Sequence, residues 1–338
     1  MSGRFPILYI AEADPETAVL SSGVLAHLVE EIPHASFIVV GSRASAPLFA
    51  DLPRLDALIV LEREGRLEWV NLWKRVRSTK WGLVVDQRGT DFSARLKRQR
   101  RAVKPAAASK DDGRTLHAVE QAARALQLDT PPSPRLFFGH DTQAIADQAL
   151  GSWQGPLLAV GPGADWVGKR WPAERFAKAA APLLAEGGPL DGAKLLIVGG
   201  DEDRDAAHTI RLAAPRYRVI ETQGRLTPLQ ACAALSRASL YLGNDSLWTQ
   251  LAVAAGVPSV GVFGPSDERL RGPWRGRSVR GPRMMEDFRA IDPKLNQAIQ
   301  HMMDLPVEPV LNAARSLYAQ RAREAEAAHV PQPHSSDL

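Results

Sequence analysis

Three polar clusters lie where short apolar runs end, and their residue types suit the transfer of a group from a phosphate-bearing donor. Asn244, Asp245 and Ser246 follow an apolar run ending near Leu242 and precede a small-residue stretch through Leu251. At such a strand-to-helix turn these side chains cap the helix, or the free N–H groups of the helix face an anion; the turn alone leaves both readings open. A second cluster runs from Val160 to Pro172, with Gly161, Gly163 and Gly168 leading to Lys169 and Arg170 just before Trp171 and Pro172. Glycines admit a phosphate close to the backbone, and two cations neutralise a diphosphate. The competing reading of Lys169 is a cation decorating a surface turn. A third cluster, Gly199-Gly-Asp-Glu-Asp203, sets Glu202 and Asp203 after another apolar run, where an acid suits ribose hydroxyls.

The elements that must position these clusters follow from the hydrophobic pattern. Ile7 to Ile10, Phe37 to Val40, Ala57 to Leu61 and Leu83 to Asp86 read as strands, with Ala18 to Glu31 helical and Phe92 to Arg100 expected to be helical. Lys104 to Gly113 reads as an exposed loop and His117 to Leu126 as a helix. After the breaks at Asp129 to Pro134 and Gly151 to Pro156 the strand-helix rhythm restarts at Leu157 and runs through Phe263. Repeated βα units predict parallel sheets flanked by helices, here as two Rossmann-like halves, 1–150 and 151–308. A final helical stretch over 309–328 has no strand after it, and a mobile tail is expected at 329–338.

Length and composition agree with two ordinary domains of a globular protein. The chain has 338 residues, 45% hydrophobic and 24% charged, and no apolar run approaches the roughly 20 residues of a membrane span. The apolar start, Ile7 to Ile10, is too short for a signal-peptide core, so a cytoplasmic location is expected. The single cysteine, Cys232, excludes an internal disulfide and reads as a small buried helix residue. A net charge of +4 gathers in clusters, notably Arg95 to Arg101 and the arginines from Arg269 to Arg283. Such clusters attract phosphate of any kind, or form a solvated face. No helix-turn-helix, zinc-finger or aromatic RNA-binding pattern accompanies them, so no nucleic-acid partner is expected.

Taken in order, Asp86-Gln-Arg-Gly89, His117 to Glu120, Pro162-Gly-Ala164, Lys169-Arg-Trp-Pro172, Phe176, Gly199-Gly200, Gly224, Leu229, Gly243-Asn-Asp-Ser246, Leu251-Ala252 and Phe263-Gly-Pro265 form a set spread over nearly the whole chain. The set resembles the lipopolysaccharide heptosyltransferases of glycosyltransferase family nine. That resemblance implies an α/β GT-B fold, two Rossmann-like domains facing across a cleft, with the C-terminal helix packing back on the first. It implies an inverting, metal-independent transfer without a cofactor, from a nucleotide sugar such as ADP-heptose to a glycan or lipid-linked saccharide acceptor. Gly163, Lys169, Arg170, Glu202, Asp203, Asn244, Asp245 and Ser246 then belong to the donor side. Arg88, Lys97 and Arg98 belong to the acceptor side, where the basic cluster also suggests peripheral contact with an anionic membrane.

The chain departs from the family at three positions. Leu247 replaces a glycine and Gln250 a histidine of the donor motif, and ungapped counting sets Thr17 under the family's base. Thr17 cannot act as a base, which leaves Asp14, the preferred candidate, or Glu16. These departures keep open a catalytically weakened relative that binds a nucleotide sugar or glycan without turnover. A nucleotide-dependent oxidoreductase is the third reading, weakened because no Gly-x-Gly-x-x-Gly follows Ile10.

Overall fold

The computed structural model describes residues 4–329 apart from 64, 107–109 and 112. Strands β1 (Phe5–Ile10), β2 (Ala35–Ser42), β3 (Leu55–Leu61), β4 (Trp81–Asp86) and β5 (Arg98–Val103) form a parallel sheet in the order β3-β2-β1-β4-β5. Helix α1 (Pro15–Glu31) packs on one face of this sheet and α2 (Arg66–Val76) on the other. A short antiparallel ribbon, β6 (Lys110–Asp111) with β7 (Arg114–Thr115), leads into α3 (Ala118–Ala123) and α4 (His140–Leu150).

The second sheet is built from β8 (Leu157–Gly161), β9 (Lys194–Ile197), β10 (Val219–Glu221), β11 (Leu240–Asn244), β12 (Ser259–Phe263) and β13 (Arg277–Arg280). Its order is β10-β9-β8-β11-β12-β13, and every pair is parallel. The intervening helices are α5 (Ala173–Leu184), α6 (Arg204–Ile210), α7 (Pro228–Leu235), α8 (Leu247–Ala254) and α9 (Glu268–Arg271), followed by α10 (Met285–Ile291) and α11 (Val307–His329). Both sheets are doubly wound, and in both the strand order reverses beside the first strand, which opens a crevice at the carboxyl edge.

One apolar core joins the two halves. Tyr9, Phe37 and the α1 residues Val24 and Leu25 share a buried cluster with Tyr241, Leu251 and Cys232. Within it α1 packs on α8, while α4 packs on α7, so the chain reaches the second domain's helices before Gly151. Cys232 is buried at 0% exposure, as a small helix residue.

Two expectations fail here. Phe92 to Arg95 makes only one 3-10 turn, and Arg98 to Val103 is a strand, because the open edge of β4 takes a partner and the segment offers a helix only Phe92 and Leu96 as apolar anchors. Helix α11 packs on α5, β12 and β13 of the second domain, not back on the first. Its stripe of Val310, Leu311, Ala314 and Leu317 is buried there at helical spacing. Of the expected tail, residues 330–338 lie outside the described residues.

Candidate active site

Two helix starts meet where the carboxyl edges of the sheets face each other. At the end of β1 the chain turns through Ala11 to Asp14, and Asp14 caps α1 by accepting hydrogen bonds from Thr17 N and Thr17 Oγ1, both at 3.0 Å. Pro15 follows in the first turn, where a missing N–H costs nothing. This cap turns Glu16 inward to 6% exposure. At the end of β11, Asn244, Asp245 and Ser246 are all buried, and α8 begins at Leu247.

The polar turn before α8 divides into a strut and an open site. Asn244 Oδ1 accepts from Trp171 N at 3.0 Å, and Nδ2 donates to Pro162 O at 2.6 Å, so this amide ties β11 to the glycine-rich loop after β8. Ser246 occupies the capping position of α8 but makes no side-chain capping bond. Its hydroxyl and both carboxylate oxygens of Asp245 are buried without a hydrogen-bond partner among the described residues. Buried polar atoms in that state call for a partner, and the Lys169 ammonium faces one of them.

Lys169 supplies the local cation. Its Nζ lies 3.1 Å from Asp165 Oδ1 and 3.5 Å from Asp245 Oδ2. Burial disfavours the ammonium, but the carboxylates of Asp245, Glu16 and Asp165 outweigh it and hold its pKa above the usual lysine range. From the first domain Glu16 faces the same group. Burial, then the charge of Asp245, pushes its carboxyl up to about 7, against the opposing pull of Lys169 and Arg271. Arg271 Nη1 sits 3.4 Å from Glu16 Oε2 and 3.9 Å from Asp14 Oδ2, bridging the domains.

Arg271 went unrecognised in the sequence, where it was one of several arginines between Arg269 and Arg283. Its position depends on neighbours distant in the chain. Gln250 Nε2 donates to Arg271 O at 2.8 Å, and His117 Nε2 lies 2.8 Å from Gly272 O with its ring 5.0 Å from Trp274. Gln250 therefore positions the loop carrying Arg271.

Other expected site residues are placed differently. Arg170 donates to Ala164 O at 3.1 and 2.7 Å and lies 3.8 Å from Asp203, so it closes the glycine loop on itself. Asp203 is buried and accepts from Gly200 N at 3.0 Å, while Glu202 is exposed. Gly163 is needed for packing: a Cβ there would meet Asp203 Oδ2 at 2.2 Å. On the first domain Arg88 Nε donates to Ala11 O at 2.7 Å beside the cleft, held by a turn in which Asp86 accepts from Arg88 N and Thr90. Lys97 and Arg98 stand at the opposite end of that sheet. Arg98 pairs with Trp81 at the amino end of β4, and the cleft edge at Asp86 is about 16 Å away by strand rise.

Two cavities flank the start of α1. A polar one of about 110 Å³ is lined by Glu12, Thr17, Ser21, Lys104, Gln121 and Arg271, with Lys104 and Glu12 paired. A larger one of about 490 Å³ opens between the domains, with Pro15, Arg43 and Leu48 on one wall and Thr227, Leu229 and Leu247 on the other. Its size is that of an ordinary small-molecule pocket. Among the described residues, no group of three or more His, Cys, Asp or Glu is arranged to hold a metal ion.

Known proteins are similar to this chain in sequence and architecture. The family profile of glycosyltransferase family 9 (heptosyltransferase) matches residues 69–281. Lipopolysaccharide heptosyltransferase 1 of Pseudomonas aeruginosa is 27% identical over 230 residues, which span 62% of this chain and 62% of that relative. The solved structure of E. coli ADP-heptose lps heptosyltransferase II superposes with a TM-score of 0.68 at 18% identity, covering 94% of this chain and 100% of that one. A glycosyl transferase family 9 structure from Veillonella parvula also gives 0.68, at 19% identity, covering 94% and 97%. These superpositions show the two-domain GT-B fold.

Proposed function

The chain belongs to glycosyltransferase family 9, and on that premise we propose that it transfers heptose or a related sugar from a nucleoside-diphosphate donor to a lipopolysaccharide-type acceptor. The observation that carries this reading is the buried carboxyl of Glu16, facing the Lys169–Asp245 pair across the domain cleft. ADP-heptose is the donor we favour, supported by the name of the E. coli enzyme that shares the fold.

The reaction uses the groups already assembled. The diphosphate lies at the start of α8, where the helix N-terminus favours an anion and the Ser246 hydroxyl has a bond to give. Lys169 swings from Asp245 toward the phosphate oxygens, and the nucleoside occupies the 490 Å³ cavity. The acceptor hydroxyl approaches from the polar cavity beside Thr17 and Arg271. Glu16, rather than Asp14, takes its proton as the oxygen bonds to the anomeric carbon. The carbon–oxygen bond to the diphosphate breaks with its electron pair leaving on phosphate. Attack opposite the leaving group inverts the anomeric centre. Lys169 and the helix N–H groups carry the leaving charge, so the proposed step runs without a metal.

Incubation with ADP-heptose and a lipopolysaccharide-core acceptor tests the proposal. Acceptor-dependent release of ADP, unchanged by chelator, is expected. Binding of the nucleotide sugar with no release in the presence of acceptor would instead identify a non-catalytic binder.

A further inference from the structure

Two charged residues at the carboxyl edge of the first sheet take no part in the proposed reaction. Glu12 lies two residues past β1 and Lys104 one past β5, with β4 running between those strands. Lys104 N donates to Asp86 O at 2.9 Å at the end of β4, and from there its side chain reaches over the strand ends to pair with Glu12. Both side chains are largely buried, at 16% exposure for Glu12 and 23% for Lys104, and together they form one wall of the 110 Å³ polar cavity beside Thr17 and Arg271. Burial raises the Glu12 carboxyl above the usual range in spite of Lys104 and Arg88, so this carboxylate depends on its cation.

Both cations lining the cavity are matched by acids of this chain. Lys104 holds Glu12, and Arg271 faces Glu16 at 3.4 Å and Asp14 at 3.9 Å. An anionic guest would have to draw Lys104 from Glu12 or Arg271 from Glu16, leaving a buried carboxylate behind. The hydrogen-bonding capacity of the lining points the same way. Thr17 Oγ1 donates to Asp14 at 3.0 Å, Ser21 Oγ to Ala18 O at 3.1 Å and Gln121 Nε2 to Leu116 O at 2.9 Å. Their oxygens are left to accept, and Glu12 meets Lys104 through Oε1, leaving Oε2 to accept as well. Such a lining suits hydroxyl groups that donate, whereas a carboxylate or phosphate only accepts. At roughly 30 Å³ for each water-sized group, the cavity takes about three or four hydroxyls, one edge of a single sugar ring.

We propose that Glu12 makes this subsite select an uncharged sugar ring as acceptor, by neutralising Lys104 and accepting hydrogen bonds from the ring hydroxyls. This selectivity rests on the proposed transfer and adds which ring is received: a neutral sugar, not a sugar acid or one phosphorylated on the edge that enters. Glu12 then determines specificity, while Glu16 on the adjoining turn handles the proton.

Ligand-observed NMR titration of the ADP-loaded full chain tests this with two probes built on one ring, methyl α-mannopyranoside and the methyl glycoside of mannuronic acid. They differ only in a hydroxymethyl group against a carboxylate. Wild type should bind the neutral ring about tenfold or more tightly than the acid. Glu12→Gln releases Lys104 and should raise the affinity of the acid about tenfold or more, erasing or reversing the preference. Glu12→Gln with Lys104→Gln removes both charges and should keep the neutral preference, which also serves if an unpaired Lys104 keeps the single variant from folding. Native circular dichroism and an ADP affinity within a few-fold of wild type check the variants. Equal or tighter binding of the acid by wild type overturns the proposal. So does an unaltered ratio in folded Glu12→Gln, a gain for the acid in the double variant, or binding of neither ring. Because the readout is binding, selective uptake of the neutral ring without acceptor-dependent ADP release would support this specificity and count against the transferase reading alone.

Discussion

Asp14 accepts two hydrogen bonds from Thr17 and stays half-exposed, whereas Glu16 is buried against Asp245, Lys169 and Arg271. The preference for Asp14 on sequence grounds is outweighed by the burial of Glu16, which follows from the docking of α1 on α8. A carboxyl raised from 4.5 to about 7 in the folded chain makes the native state bind more protons than the unfolded one between those values. Its effect on stability is therefore absent below about pH 4.5 and becomes a destabilisation as pH rises through 7, reaching about 3 kcal/mol. Glu16→Gln should accordingly match wild type in chemical denaturation near pH 5 and exceed it by about 2–3 kcal/mol near pH 8. Equal stability at both values would show that Glu16 is not buried as a charge in solution. Lys169 was legible in the sequence because a glycine-rich turn delivers it, and Lys169→Ala should weaken ADP binding about ten- to a hundredfold by calorimetry. Arg170 follows the same turn, but its bonds to Ala164 O are set by the loop's own closure, which no local pattern announces.

At the scale of elements, the strands of both sheets other than β5 and β13, and the helices α1 and α8, follow from apolar runs and turn residues visible along the chain. The β4–β5 connection did not, since pairing at an open sheet edge is a tertiary demand that outweighs weak helical spacing. The destination of α11 was misread for a similar reason. Its apolar stripe was readable, but the sheet that receives it was not. The Asn244 turn shows the opposite case, a motif noticed for its ligand chemistry whose first residue works as a strut. Asn244→Ala removes both bonds to the glycine-rich loop and orphans Trp171 N and Pro162 O, so it should cost about 2–4 kcal/mol in denaturant unfolding. It should also weaken ADP binding by loosening the loop that carries Lys169. A loss under about 0.5 kcal/mol would remove Asn244 from that role.

At the scale of the molecule, the two domains are joined by a shared core, and the functional groups gather on its polar rim. Glu16 comes from one domain, Lys169 and Asp245 from the other, with Arg271 bridging them. Domain number and winding were readable from the repeated strand-helix rhythm; the cross-cleft pairings depend on how the two halves dock. The site is complete only with both domains, so catalysis should track the ionisation of a group that neither half places alone. The most direct test is the pH profile of acceptor-dependent ADP release by wild type, Asp14→Asn and Glu16→Gln. The account predicts that kcat/KM of wild type rises through about pH 7, that Asp14→Asn retains this profile, and that Glu16→Gln loses about 10²–10⁴-fold while ADP affinity stays within a few-fold. Full activity in Glu16→Gln, or loss of activity in Asp14→Asn alone, would contradict it.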